Sequence, residues 1–399
     1  MSRRYPYRSV ALAAAAFLAA WALLHVWFYA HYANADVLLY QTYGQSVRDG
    51  QVPYRDFALE YPPGALPVFV APALLGHAYA TSFDWLMAAC GVGCIAAVAA
   101  SRPPRWALAF LAVSPLLVGS LLRSHYDLWP ALLLAAAVAA LLNDRHRLGW
   151  ALLAAAVSAK LYAAVIVPLA VLWTLRRRGR PELVRSLAVG AAVLAVVFVP
   201  FAVLGPQELR STIEGQVTRP LQIETLAASY LMTFEHPEIK SSHGSKSLIN
   251  HDGLAAATSG VLLALLIVLW IGFARGPTES ERFTRYVAAC VCAFVAFGKI
   301  LSPQFLIWLV PVVPLVHGRR GIAAAALFAA AAVNTLFWYP GRYFTEYVYV
   351  PHLAWLVLLR NLTLVAVFAV LAAPARVLGD HPPVRLPAVR DPNADLMNP

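Results

Sequence analysis

Charge is what this sequence has least of. Only 13% of its 399 residues are Asp, Glu, Lys or Arg, where a soluble domain carries about 25%. So sparse a supply cannot cover a solvated surface, and 60% hydrophobic residues call for a different solvent. Acidic residues are scarcer than basic ones, 20 against 31, for a net charge of +11. Such an excess would point to nucleic acid if it formed a basic face on a soluble domain. Here Lys and Arg stand in short clusters between apolar runs, the pattern that sets membrane topology, and no nucleic-acid partner is expected. Cysteine is nearly absent. Cys90 and Cys94, one helical turn apart, and Cys290 and Cys292 all fall inside apolar runs, so no disulfide framework or zinc site is indicated and small buried residues remain as their role.

What is present is apolar length. A bilayer span needs about 20 apolar residues, and runs of that kind recur from Val10 to Ala375. The expected fold class is an all-α polytopic membrane protein, one integral membrane domain over residues 1–375. A proline-rich tail, 376–399, reads as disordered and cytoplasmic. Arg3, Arg4 and Arg8 precede the first run, 10–30, which is too long for a signal-peptide core and reads as a retained span. With that end in the cytoplasm, every later basic cluster falls on the same side if about twelve spans are drawn. The segment 65–76 then becomes a half-buried helix and 81–100 the return. Spans at 106–122, 128–142, 184–204, 254–274, 321–338 and 351–373 follow. Two segments, 148–175 and 286–317, are too long for one span, and each is read as two short helices meeting near Ser158–Lys160 and Lys299–Pro303. Irregular backbone at such depth is tolerated only inside protein or beside a water-filled cavity. Both termini are expected in the cytoplasm, with the two long loops, 31–64 and 205–253, on the opposite face.

That face collects the chemistry-bearing residues. The stretch 36–64 carries Asp36, Asp49, Asp56 and Glu60, interleaved with Tyr40, Tyr43, Tyr54 and Tyr61 and with Arg55 beside Asp56, and it ends in Tyr61-Pro62-Pro63-Gly64. Asp36 has a plain alternative, a helix cap. A partly desolvated carboxylate with a raised pKa suits a general base. Asp56 and Glu60 suit acceptor binding, bracing of the loop or oxygen ligation of a divalent ion, and these uses stay open. Arg123, His125 and Asp127 sit in a short turn, and Lys160 and Lys299 in the two helix junctions. Each cation alone reads as a snorkelling side chain. Three at one face run against the positive-inside bias and make a candidate phosphate site, with Ser302 and Gln304 as neutral donors. Arg219, Gln222 and Glu224 stand in the second long loop beside an interfacial helix pattern. His236, His243 and His251 are too scattered for a metal site. Tyr343, Glu346 and His352 belong to the last loop on this face, where they would close a cavity.

The segments DVLLY, VPYRDFALEYPPG, RSHYDLWPALL, SAKLYAAVIVPL, RPLQIET and KILSPQFLIWLVP, in that order, resemble glycosyltransferase family 87. This group of the GT-C superfamily includes polyprenol-phosphate-mannose-dependent mannosyltransferases. The resemblance spans residues 30–320. It implies a GT-C-like fold with short or broken helices, a polyprenyl-phosphate sugar as donor, and an Asp of the first outer loop, matched by Asp36, as base. It does not carry the acceptor over. The reaction expected is transfer of a sugar, mannose by family weight, to a hydroxyl of a lipid- or glycan-linked acceptor with inversion. Arg123, Lys160 and Lys299 would meet the charge that develops on the departing phosphate, so no metal cofactor is expected. The localisation expected is a bacterial plasma membrane. The rival reading is a transporter or flippase for a lipid-linked sugar, since broken helices with charged junctions serve transporters too; no pair of matching halves supports it.

Overall fold

Proline and glycine decide where the apolar runs stop. The computed structural model describes residues 5–26, 35–75, 78–235, 237–242, 244–348 and 350–374; the expected tail, His236 and His243 lie outside the described residues. Helix α1 (Tyr7–Leu23) starts behind Pro6. Helix α2 (Ala35–Arg48) is polar, with Asp36 in its first turn and Arg48 in its last, the order of charge that suits a helix dipole. Gly50, at φ 87°, follows it in the left-handed conformation that glycine adopts freely. The chain then doubles back, Tyr54 Oη donating to the Tyr61 carbonyl at 2.5 Å, and enters the short α3 (Leu66–Leu74) through a 3-10 turn at Pro63–Ala65.

Helix α4 (Tyr79–Ala100) is followed by α5 (Ala107–Val118), which stops at Gly119, φ 68°. One turn, α6 (Leu121–Ser124), and an extended His125 lead into α7 (Leu128–Leu142). Helix α8 (His146–Ala159) stops at Lys160, whose φ of −161° and ψ of 126° are those of a strand. A 3-10 segment, Leu161–Ile166, precedes α9 (Val167–Leu204). Helices α10 (Pro206–Thr218) and α11 (Leu226–Phe234) and a hairpin, β1 (Ile239–Ser242) with β2 (Ser245–Leu248) in the register Ile239 opposite Leu248, form the second long loop. Then come α12 (Asp252–Ala274), α13 (Ser280–Phe297), 3-10 turns at Pro303–Leu309 and Val313–Leu315, α14 (Gly318–Trp338) and α15 (Ala354–Ala372).

Both overlong segments break where the sequence places the junction; the first resumes as the 3-10 segment Leu161–Ile166 leading into α9, and the second continues as 3-10 turns rather than α-helix. The expected separate helix over 184–204 is found within α9, which is two helices meeting at a kink inside the basic cluster, at Gly179 with φ 79° and ψ 177°. Against about twelve expected spans, the described residues hold five helices long and apolar enough to cross a bilayer: Tyr79–Ala100, Leu161–Leu204, Asp252–Ala274, Gly318–Trp338 and Ala354–Ala372. Five shorter apolar helices accompany them: Tyr7–Leu23, Pro63–Leu74, Ala107–Val118, Leu128–Leu142 and Pro303–Leu315. Helices α9 and α12 carry exposed apolar side chains along much of their length, Val196, Val199 and Val203 on one and Val261, Leu263 and Val268 on the other.

Hydrogen bonds gather the basic turns at one end of this bundle. Tyr5 Oη donates to the Pro104 carbonyl at 2.8 Å and Asn143 Nδ2 to that of Ala100 at 2.9 Å. Arg177 pairs with Asp144 at 3.1 Å, Arg147 with Glu182 at 3.0 Å, and Arg176 Nη1 reaches the Gly276 carbonyl at 2.9 Å. At the opposite end α10 caps the first loop, Thr212 Oγ1 donating to the Leu59 carbonyl at 2.9 Å and Gln216 Nε2 to that of Glu60 at 3.1 Å. Here Gly64 has a packing reason to be glycine. Its carbonyl accepts Trp129 Nε1 at 3.0 Å, and a Cβ on it would lie 2.4 Å from Ser158 Oγ and 2.5 Å from the Ser158 backbone. Replacing Gly64 by Ala is expected to lower stability by about 1–3 kcal/mol, the cost of overpacking. Gly260 of α12, with nothing within 4 Å of the same position, is the control, and its Ala variant loses nothing in a thermal unfolding series in detergent.

Candidate active site

The end of the bundle away from the basic turns holds a cavity of two lobes. The polar lobe, about 300 Å³, is walled by the turn after α5, by Gln222 and Glu224, and by Tyr339–Phe344. The second lobe, about 350 Å³ and more apolar, lies between the Glu60–Pro62 turn, Tyr126, the Lys160 junction, Arg219 and the 3-10 turn at Phe305 and Trp308. Asp36, Gly244, Ser245, Ser302 and Gln304 line both lobes and mark where they meet.

Asp36 is half-exposed at this junction, its Oδ2 3.0 Å from His125 Nε2. The ring is fixed from behind, Nδ1 lying 2.8 Å from Ser124 Oγ and 3.2 Å from the Leu121 carbonyl. The raised pKa expected for Asp36 is not found. Burial does push its carboxyl up, but the charge and hydrogen bond of His125 and the Lys160 ammonium outweigh it, and the group sits below the ordinary aspartate value. The physical reason is that the sequence places His125 and Lys160 far along the chain, whereas the fold brings both to Asp36.

Lys160 projects into the second lobe because its extended backbone ends α8 there. Its ammonium donates to Asp127 Oδ1 at 2.6 Å and lies 4.7 Å from the Tyr126 ring centre and 5.2 Å from that of Trp308. Trp308 Nε1 donates to the same Asp127 oxygen at 2.6 Å, and Trp308 stacks on Tyr162 at 4.0 Å and on Phe305 at 3.9 Å. A lysine has three donors, and the one given to Asp127 leaves two for whatever enters the lobe. Arg219 lines the same lobe, its Nε without a hydrogen-bond partner among the described residues.

The other residues singled out by the sequence divide. Glu60 and Tyr61 line the second lobe, Gln222 and Glu224 the polar one. Asp127 is fully buried beneath Lys160. Tyr40 lies in an aromatic core, stacked on Phe69 at 4.5 Å, and Tyr54 is buried with it. Arg55 and Asp56 pair with each other at 2.8 Å at the surface, and Asp56 also accepts the Val52 N–H at 2.7 Å. Two expected phosphate ligands lie outside the cavity lining. Arg123 turns toward α4, its Nε 2.7 Å from Asp84 Oδ1 and its Nη1 2.8 Å from the Leu24 carbonyl; His25 completes that cluster at 2.9 Å from Asp84. The carbonyl of Lys299 accepts the Gln222 N–H at 3.0 Å. Tyr343 does wall the polar lobe, while Glu346 pairs with Arg342 at 3.7 Å. Sequence reasoning missed Asp84 and His25, and it missed the aromatic box around Lys160. The signal for the box was there: Tyr126, Tyr162, Phe305 and Trp308 each follow a charged or broken junction by a few residues.

The pattern of glycosyltransferase family 87 matches residues 59–303, more than half of the chain. The chain belongs to that family. Its match begins beyond Asp36 and takes in Glu60, Lys160, Arg219, Glu224 and Ser302. Among solved structures, ArnT from Cupriavidus metallidurans bound to undecaprenyl phosphate is similar, at a TM-score of 0.50 and 16% identity over 93% of this chain and 78% of that one. Likeness at that identity is one of fold, all-α and GT-C-like. No curated protein gives a match. The chain is therefore a membrane glycosyltransferase of family 87.

Glu224 is the group of the polar lobe whose charge state is most altered. Burial pushes its carboxyl up to about 7, against the hydrogen bond from Tyr343 Oη that pulls it down. Between the ordinary value of 4.5 and about 7, the folded protein holds a proton that the unfolded chain has released, so stability falls as pH rises across that window, by about 3 kcal/mol in all. Glu224→Gln removes this slope. Thermal unfolding from pH 4.5 to 8 is expected to show the variant gaining on the wild type as pH rises; a pH-independent difference overturns the assignment.

Proposed function

We propose that this family 87 protein transfers a sugar, mannose by family weight, from a polyprenyl-phosphate donor to a hydroxyl of a lipid- or glycan-linked acceptor, with inversion. The observation that carries this reading is the position of Asp36, the one carboxylate that lines both lobes. The donor's phosphate belongs in the second lobe, beside Lys160 and Arg219, with Leu161, Phe294, Ile300 and Phe305 as apolar wall for the first isoprene units. The undecaprenyl phosphate bound by ArnT supports a lipid phosphate of this class. Arg219 takes the place that the sequence assigns to Arg123 and Lys299.

In this mechanism the acceptor oxygen attacks the anomeric carbon from the polar lobe as the bond to the phosphate oxygen breaks. The hydroxyl proton passes to Asp36, and the polyprenyl phosphate leaves with the bonding pair. Its growing negative charge is met by the Lys160 ammonium and the Arg219 guanidinium, which are already in place and need not reorganise. The lowered pKa of Asp36 keeps it ionised and ready to accept a proton, and His125 holds its orientation. This chemistry uses the chain's own side chains and asks for no metal. The gathering of basic turns at the far end of the bundle supports an extracytoplasmic cavity and a cytoplasmic first helix start, by the positive-inside rule, in a bacterial plasma membrane.

The test is transfer from synthetic polyprenyl-phosphate mannose to mixed glycoside acceptors by the purified protein. Asp36→Asn is expected to lower kcat by about 10²- to 10⁴-fold, the range for a lost general base, with the Kd for undecaprenyl phosphate retained. Full activity in that variant removes Asp36 as base. If the wild type releases no polyprenyl phosphate but moves the lipid-linked sugar across liposomes, the transporter reading replaces this one.

A further inference from the structure

The two lobes differ in charge more than in size. The second lobe carries the cations Lys160 and Arg219. The polar lobe carries two carboxylates, Asp36 and Glu224, and no lysine or arginine among the described residues; its histidine, His125, is already paired with Asp36. We infer that the polar lobe is the acceptor subsite, that it takes an uncharged sugar and rejects phosphorylated or carboxylated ones, and that Glu224 and Tyr343 bind the acceptor's hydroxyls. This inference rests on the transferase reading above and specifies its acceptor.

Three observations converge on it. Glu224 is 2% exposed, yet its Oε2 has no hydrogen-bond partner among the described residues while Oε1 accepts from Tyr343 Oη. A buried carboxylate oxygen without a partner, on a residue that lines a cavity, is costly unless a ligand donor or a water fills the place. Second, the backbone that presents it is locked. The Glu224 carbonyl accepts Arg360 Nη2 at 2.9 Å and Asn361 Nδ2 at 3.0 Å, and Gln222 Nε2 donates to Ser302 Oγ at 2.8 Å. A carboxylate held this firmly from behind is pre-organised to orient a hydroxyl. Third, the lobe's volume of about 300 Å³, on the order of ten waters, leaves room for a hexose ring. The Tyr339 and Phe344 rings on its wall suit the apolar face of that ring, and Ser120 and Ser124 its edge.

The experiment uses the full-length protein in lipid nanodiscs at pH 8, where Glu224 is ionised, with polyprenyl-phosphate mannose as donor. Three acceptors are compared: an octyl hexoside, its 6-phosphate and the corresponding uronide. The neutral glycoside is expected to exceed both anionic ones in kcat/KM by about tenfold or more, the size of one buried interaction. Glu224→Gln and, separately, Tyr343→Phe are expected to raise KM for the neutral acceptor while kcat at saturation and the Kd for undecaprenyl phosphate stay near wild type. Glu224→Gln should also narrow the gap between neutral and anionic acceptors. A structural role alone would shift kcat and lipid affinity together with KM. Equal use of neutral and anionic acceptors, or an unchanged acceptor KM in both folded variants, overturns this inference while transfer itself stands. A wild type that neither binds undecaprenyl phosphate nor transfers overturns the parent reading and this one with it.

Discussion

One carboxylate oxygen, Asp127 Oδ1, accepts from both Lys160 Nζ and Trp308 Nε1, each at 2.6 Å. Three interrupted stretches meet at that atom: the turn before α7, the strand-like end of α8 and the 3-10 turn after α13. Each interruption releases backbone N–H and C=O groups from helical pairing at a depth where water is scarce, and each such group left alone costs several kcal/mol. The breaks are tolerable because side chains from elsewhere complete them. Gln222 does so for the third break, its N–H on the Lys299 carbonyl and its Oε1 accepting the Leu301 N–H at 3.1 Å. The second long loop is thus a structural part of the broken helices, and it brings Glu224 to the cavity by the same two residues of chain.

The same buried anion decides what Lys160 is. An ammonium in an aromatic box without a counter-charge would be expelled or neutralised. Asp127 holds it in place while leaving its remaining donors on the cavity side. Removing either partner strands the other, so the pair is a positioning device for charge as much as a stabilising contact. Arg123 shows the contrast. Its guanidinium is drawn away by Asp84, and it ties the start of the chain to α4 and α6 instead of facing a substrate.

The sequence made some of this legible and hid the rest for physical reasons. Charge clusters between apolar runs gave the order of turns, because lysine and arginine avoid the bilayer wherever they sit. Lys160 and the 299–303 stretch stood out for the same reason, as polar matter in runs too long for one helix. Family membership was legible in six short segments. The partner of Arg123 was hidden, since Asp84 lies in the second turn of another apolar helix and nothing local marks it as facing a cation. The aromatic box was hidden because an interfacial Tyr or Trp is common in any membrane protein. The sign of the Asp36 shift depended on His125, 89 positions further on, which only the fold places 3.0 Å away.

Helix α9 has one more consequence. Beyond its kink at Gly179 it turns Val196, Val199 and Val203 outward, as α12 does Val261, Leu263 and Val268. At its end α9 turns through Gly205, where a Cβ would stand 2.3 Å from the Tyr54 carbonyl oxygen, straight into α10, which grips the loop carrying Glu60. The outward apolar face of the chain before Gly205 and the grip on the Glu60 turn after it are thus two ends of one continuous stretch.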